Sequence, residues 1–167
     1  MTFQIPAKTR QDQALASHPQ QSAWVSANAG SGKTFVLSQR VIRLLLAGTD
    51  PSRILCLTFT KAAAAEMSNR VFARLSEWIG LDDEALTKAL QDLEGRPPSE
   101  QELALARRLF ARALETPGGL KIQTIHAFAE RLLHQFPLEA NVPAHFEILD
   151  DQLAAELLTN AIGSVLS

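Results

Sequence analysis

Apolar positions along this chain fall into two textures, short continuous runs and longer stretches in which they return at helical spacing. The run "SAWVSA", Ser22 to Ala27, is apolar and β-prone and ends in a Gly-rich turn, which predicts a buried strand feeding a loop. From Lys33 the positions Val36, Leu37, Val41, Leu44 and Leu45 trace a helical stripe, and Gly48 with the following Thr-Asp-Pro stops it. "RILCLTFT" predicts a second strand, Ile54 to Phe59, whose continuous apolar character suits a parallel sheet covered on both faces. An Ala-rich helix is expected from the N-cap Thr60 to about Trp78, with Val71, Phe72 and Leu75 on its apolar stripe.

Beyond Trp78 the pattern changes. Residues 79 to 117 are dense in Asp and Glu and are broken by "GRPPS". Leu and Ala fall at i, i+3 and i+4 over Asp82–Leu93 and Glu100–Leu114, which predicts a two-helix insertion closed by Pro117-Gly118-Gly119. "LKIQT" resumes strand character, "IHAFAERLLHQF" is an amphipathic helix, and "HFEIL" is a candidate short strand. A last helix is expected over "DDQLAAELLTNAIGSVL", with acids at the end where the helix dipole favours them. Trp24, Cys56, Phe128, Leu132 and Leu133 are assigned to the core.

Composition narrows the class. At 167 residues and 46% hydrophobic the chain suits a single globular domain with a real core. A single cysteine excludes a disulfide framework and a four-thiolate zinc site. "MTFQIPAKTR" carries no apolar signal region, and no apolar run approaches the ~18 residues of a membrane span, so a cytoplasmic protein without a membrane partner is expected. The net charge of −2 hides an asymmetry: residues 1–74 hold 9 Lys/Arg against 3 Asp/Glu, and residues 75–167 hold 7 against 15. A basic face in the first half is compatible with nucleic acid, while the acidic charges suit solvated helix surface.

The candidate chemistry starts at "ANAGSGKTF", residues 27 to 35. A phosphate cradle needs backbone N–H groups converging on an anion, which Gly-rich curvature and a helix N-terminus supply together. Ala27, Asn28, Ala29, Gly30, Ser31 and Gly32 would form the cradle, Lys33 would reach the β/γ phosphates, and the Thr34 hydroxyl would ligate Mg²⁺. Ala27 departs from the Gly that heads the usual pattern.

Four segments in order, "QDQAL" from Gln11, "ANAGSGKT", "LTFTKAAAAEMSNR" from Leu57 and "IQTIHAFAERLL" from Ile122, resemble the motifs of the UvrD/Rep-type superfamily 1A DNA helicases. The long insertion and the wording "AWVSANAGSGKT" are most similar to the AddA/RecB branch of helicase–nuclease subunits, and Ala at the head of the loop is common in that family. The resemblance, over about residues 9 to 150, implies ATP and Mg²⁺ as cofactors and catalytic roles for Lys33 and Thr34. It implies adenine recognition by Gln11, with Gln13 close enough to compete for the role. It also implies single-stranded DNA contacts through Thr58, Phe59, Thr60 and Lys61, and later through Thr124 and His126. Lys61 stands where the family often has Asn. Arg40 fits either a structural ion pair or a nucleotide contact.

The implied fold is an α/β P-loop NTPase sheet of RecA-like type, parallel, flanked by helices and incomplete. Residues 1–167 would be the N-terminal part of motor domain 1A, with a helical insertion at about 79–117 and the start of a helical subdomain at about 150–167. "ILDDQ", Ile148 to Gln152, lacks a Glu after its Asp and is not taken as the acidic pair of a hydrolysis site. The chain is therefore expected to be a piece of a longer polypeptide that binds nucleotide but does not hydrolyse it efficiently alone. The implied partners are single- and double-stranded DNA ends and an AddB-like nuclease/helicase subunit in a heterodimer, in double-strand break repair. The alternatives are a stand-alone P-loop kinase for a small molecule, with Arg107, Arg108 and Arg112 as its lid, and a non-catalytic module whose insertion docks a partner.

Overall fold

The computed structural model describes residues 6–26, 28, 30, 32–149 and 151–166, and the chain divides into two compact units, Met1–Ile125 and His126–Ser167. The first unit runs α1 (Ala7–Ala16), α2 (Lys33–Leu46), a 3₁₀ turn (Pro51–Arg53), β1 (Leu55–Thr58), α3 (Lys61–Gly80), α4 (Asp83–Glu94), α5 (Glu100–Glu115) and β2 (Lys121–Thr124). It is an α-rich α/β unit. β1 and β2 pair in parallel, with Leu55 opposite Lys121 and Thr58 opposite Thr124.

Helix boundaries follow local chemistry. The Thr60 hydroxyl accepts from the Ala63 N–H at 3.1 Å and the Asp82 carboxylate from Ala85 at 2.7 Å, each supplying an acceptor to a first turn that has no intrahelical partner. Ser99 and Glu102 close a capping box, Ser99 N–H donating to Glu102 at 2.7 Å and Glu102 N–H to Ser99 at 3.3 Å. α4 ends at Gly95, whose φ of 73° puts it in the left-handed conformation that terminates helices.

The core lies between helices. Val41, Ile42, Leu45 and Leu46 of α2 meet Met67, Val71, Leu75 and Trp78 of α3, and the cluster continues through Leu86, Leu90 and Leu93 of α4 and Ala106, Leu109 and Ala113 of α5. The two helices read as an insertion therefore supply six of the fifteen buried residues in the cluster built around α2 and α3. Most of their acids face solvent, Glu94 at the end of α4 being turned inward, while their Leu and Ala stripes are buried. Phe72 and Phe110 meet edge to face at 6.1 Å across α3 and α5. Arg107 donates to the carbonyls of Trp78 and Leu81 at 3.3 and 2.8 Å and to Asp83 at 2.7 Å, so a cation satisfies carbonyls at the C-terminal end of α3.

Three strand expectations change. Residues 22–26 carry no regular structure and are exposed, and Trp24, assigned to the core, is 95% exposed. Strand preference reflects packing on neighbours, and this run has no ladder partner among the described residues. β1 is shorter than expected and is covered on one face: Cys56 packs against the core with Ile122, whereas Leu55 and Leu57 are exposed. "HFEIL" is not a strand.

In the second unit, α6 (Ile125–Gln135) and α7 (Asp151–Leu166) are joined by irregular chain in which Phe146 stacks on His134 at 4.2 Å. Phe146 thus serves helix packing rather than a ladder. Phe128 and Leu133 are only half-buried and Leu132 is exposed, against their assignment to the core, because α6 has no buried residue among its side chains. No helix among the described residues is long and apolar enough to cross a membrane.

Candidate functional site

The turn into α2 is made by two glycines in the left-handed region, Gly30 at φ 79° and Gly32 at φ 91°. Ala27, Ala29 and Ser31 lie outside the described residues. Gly32 is the N-cap of α2, and among the described residues no side chain caps that end. Lys33 and Thr34 are its first two residues, so a positive helix end, a flexible cation and a hydroxyl share one turn. Lys33 is exposed, and its Nζ donates to the carbonyl of Asn28 at 2.7 Å, folding the cation back over the loop. Thr34 is half-buried, and its carbonyl accepts from the Ser38 hydroxyl at 2.8 Å.

α1 brings glutamine to this turn. The Gln13 Nε2 lies 3.2 Å from where a Cβ on Gly32 would stand, a close approach that glycine permits. Gln11 is exposed on the same helix. The segment after α1 is held by Arg40, which donates to the carbonyls of Ala16, His18 and Gln21 at 3.2, 2.7 and 2.6 Å. Of the two roles open to Arg40, its hydrogen bonds give it a structural one, to backbone carbonyls rather than to an acid.

At the C-terminal end of β1, Thr58 stands in register with Thr124 of β2. Thr58 is half-buried, Thr124 is buried, and Phe59 is 81% exposed. Thr60 and Lys61 follow at the N-terminus of α3, where the helix dipole favours an anion. The Thr60 hydroxyl is already engaged as the helix cap. The parallel ladder thus gathers Thr58, Phe59, Thr60, Lys61 and Thr124 at one sheet end. His126 is exposed on α6 in the second unit.

Ionisation elsewhere has local causes. Burial pushes the Cys56 thiol above its ordinary value, which leaves it a poor nucleophile. Hydrogen bonds from Ser52 hold Asp50 below the usual carboxylate range. Among the described residues no group of three or more His, Cys, Asp or Glu could hold a metal. Ile148 and Leu149 are exposed and outside any strand, and Asp150 is outside the described residues. Of the three arginines considered for a phosphate lid, Arg107 and Arg112 are engaged within the chain, Arg112 with Asp50 at 3.5 Å, and Arg108 is exposed on α5.

Sequence reasoning missed α1 and a buried network behind it. Arg43, 6% exposed, donates to Glu94 of α4 at 3.1 Å, to the carbonyl of Ala14 at 2.9 Å and to the Ser17 hydroxyl at 2.9 Å. The available signal was a lone cation inside the apolar run "VIRLLL". Its partner lies 51 residues away in sequence and is not legible locally.

A sequence profile of the UvrD/REP helicase N-terminal domain matches residues 7–165. The chain belongs to this family. Within the UvrD/REP family, it is 35% identical over 157 residues to an ATP-dependent helicase/nuclease subunit of Latilactobacillus sakei subsp. sakei, covering 94% of this chain and 16% of that protein. It is 33% identical over 154 residues to the corresponding helicase/nuclease subunit of Lactobacillus acidophilus, covering 92% of this chain and 11% of the relative. The corresponding protein of Enterococcus faecalis is 33% identical over 142 residues, 85% of this chain and 10% of the relative. The chain therefore spans between about a tenth and a sixth of the length of these relatives.

Proposed function

We propose that this chain is the nucleotide-binding, N-terminal motor portion of an ATP-dependent helicase/nuclease subunit that translocates on single-stranded DNA in double-strand break repair. The observation that carries the reading is the turn into α2: two left-handed glycines, an uncapped helix end, and Lys33 and Thr34 in its first turn. These residues fit a Mg²⁺-bound triphosphate. The α2 N-terminus and the loop backbone would bind the anion, Lys33 would exchange its bond to Asn28 for phosphate oxygens, and the Thr34 hydroxyl would be one ligand of the metal. Bound ATP·Mg²⁺ supplies the phosphoanhydride whose hydrolysis drives movement. α1 would present Gln11 or Gln13 to the base, a role an amide fills with its donor and acceptor together.

At the C-terminal end of the ladder, Phe59 offers a face for base stacking, and Thr58, Thr60, Lys61 and Thr124 would meet the phosphate backbone; His126, in the second unit, would make its own phosphate contact. In this reading the chain belongs to a RecA-like domain 1A of P-loop type, and an AddB-like subunit completes a cytoplasmic heterodimer that acts at duplex ends.

The reading is tested by titrating a fluorescent ATP analogue with Mg²⁺ into the chain and into Lys33→Ala, then adding a labelled single-stranded oligonucleotide. Binding that disappears in Lys33→Ala, with little turnover in either protein, is expected. Equal binding by the two proteins refutes the cradle. Robust turnover without DNA favours a small-molecule kinase.

A further inference from the structure

Helix α1 is attached in an unusual way. None of its residues is buried, and among the described residues no side chain caps its N-terminus. What holds its C-terminal end and the chain after it is a set of hydrogen bonds from two arginines one turn apart on α2. Arg40 takes the carbonyls of Ala16, His18 and Gln21, and Arg43 takes the carbonyl of Ala14 and the hydroxyl of Ser17, itself 1% exposed. Among the described residues, the hydrogen bonds of the Arg40 guanidinium all go to that segment. Arg43 is different, because its other edge faces Glu94, the last residue of α4, at 3.1 Å from Nε and 3.5 Å from Nη2. A guanidinium that spends one fork on a carboxylate and the other on backbone carries geometry from one to the other.

We infer that Arg43 and Glu94 are positioning residues that couple the helical insertion to the base end of the nucleotide site. The inference rests on the nucleotide reading above. Glu94 neutralises a nearly buried guanidinium and fixes its orientation; Arg43 in that orientation sets the height of α1; and α1 sets where Gln13 meets Gly32. The phosphate end is built from the glycine turn and from Lys33, whose bond to Asn28 involves neither Arg43 nor Glu94. The insertion therefore tunes base recognition rather than phosphate binding. Anything that shifts the end of α4 would be read out as nucleotide selectivity.

The test uses the 167-residue chain as wild type and as Glu94→Gln, Arg43→Lys and Ser17→Ala. Affinities for fluorescent ATP and GTP analogues and competition by inorganic tripolyphosphate are measured beside thermal melting. If release of α1 leaves the competent arrangement populated at about a tenth, ATP affinity falls about tenfold in Glu94→Gln. The ATP-over-GTP preference then narrows, and tripolyphosphate competition stays within about twofold of wild type, as for an independent site. Arg43→Lys keeps the charge but not the fork and is expected to lose the same selectivity. Ser17→Ala, at the far end of the network, preserves the test if either charged variant fails to fold.

Unchanged selectivity in variants that melt earlier shows a merely structural pair and overturns the inference, as does a parallel loss of ATP and tripolyphosphate. A wild-type chain that binds neither ligand refutes the nucleotide reading itself and the inference with it. A wild type that binds both without base preference refutes the inference alone.

Discussion

The clearest consequence of the fold concerns residues 79–117, which cannot be excised as a separate module. Leu86, Leu90, Leu93, Ala106, Leu109 and Ala113 from this stretch belong to the same buried cluster as the faces of α2 and α3. Burying the four leucines alone is worth about 8 kcal/mol at ~2 kcal/mol each, an upper figure that matches the whole stability of an ordinary domain, about 5–15 kcal/mol. Leu109 is fully buried, so Leu109→Ala removes its transfer energy and leaves a cavity between α3 and α5, an expected loss of about 2–5 kcal/mol. Leu114, exposed on the same helix, is the control, and Leu114→Ala should stay within about 0.5 kcal/mol. Urea unfolding can be followed by tryptophan fluorescence, because Trp78 is fully buried in this cluster and Trp24 is almost wholly exposed. A Trp24→Phe background isolates the buried reporter. Leu109→Ala with an unshifted midpoint, or a 79–117 deletion that keeps a cooperative transition, would refute the argument.

Three further outcomes are expected. Gly30→Ala and Gly32→Ala each force a side chain into the left-handed region at about 1–2 kcal/mol, and Gly32→Ala additionally crowds Gln13, so it should destabilise more in urea and Gln13→Ala should erase the difference. Phe59→Ala should weaken single-stranded DNA binding by about 1–3 kcal/mol in fluorescence anisotropy while leaving melting temperature and nucleotide affinity unchanged, and any large loss of stability would contradict its exposed placement. Hydrogen bonds from Arg96 and Ser99 lower the Glu102 carboxyl from 4.5 to about 2, so its stabilisation is complete above pH 4.5 and is lost as pH falls from there toward 2. Glu102→Gln keeps the capping box but not the ion pair, so melting temperature should fall less steeply across that interval than in wild type.

Much of the architecture was legible from local pattern. Helix spacing marked α2 through α5 to within a residue or two at most ends, since caps such as Thr60, Asp82 and Ser99 act on the nearest turn. The loop residues Gly30, Gly32, Lys33 and Thr34 were readable for the same reason: positive φ and a helix N-terminus are local demands that only a few residue types meet. Strands were read less well. "RILCLTFT" and "LKIQT" pair with each other, but residues 22–26 and "HFEIL" have the same apolar, β-prone character and no ladder among the described residues, because a strand exists only where a second one stands beside it.

What the sequence by itself determined, then, is everything carried by contacts within a turn or two: the helices, their caps, the glycine turn and the order of motifs that marks the family. Tertiary structure alone decided that the acidic insertion is core rather than appendage, that Trp24 is exposed while Trp78 is buried, and that Gln13 is the glutamine lying against Gly32. It also decided that Arg43 reaches Glu94 across 51 residues. The physical reason is that burial and ion pairing depend on which surfaces meet, and a helical stripe states only that it must be covered, never by what.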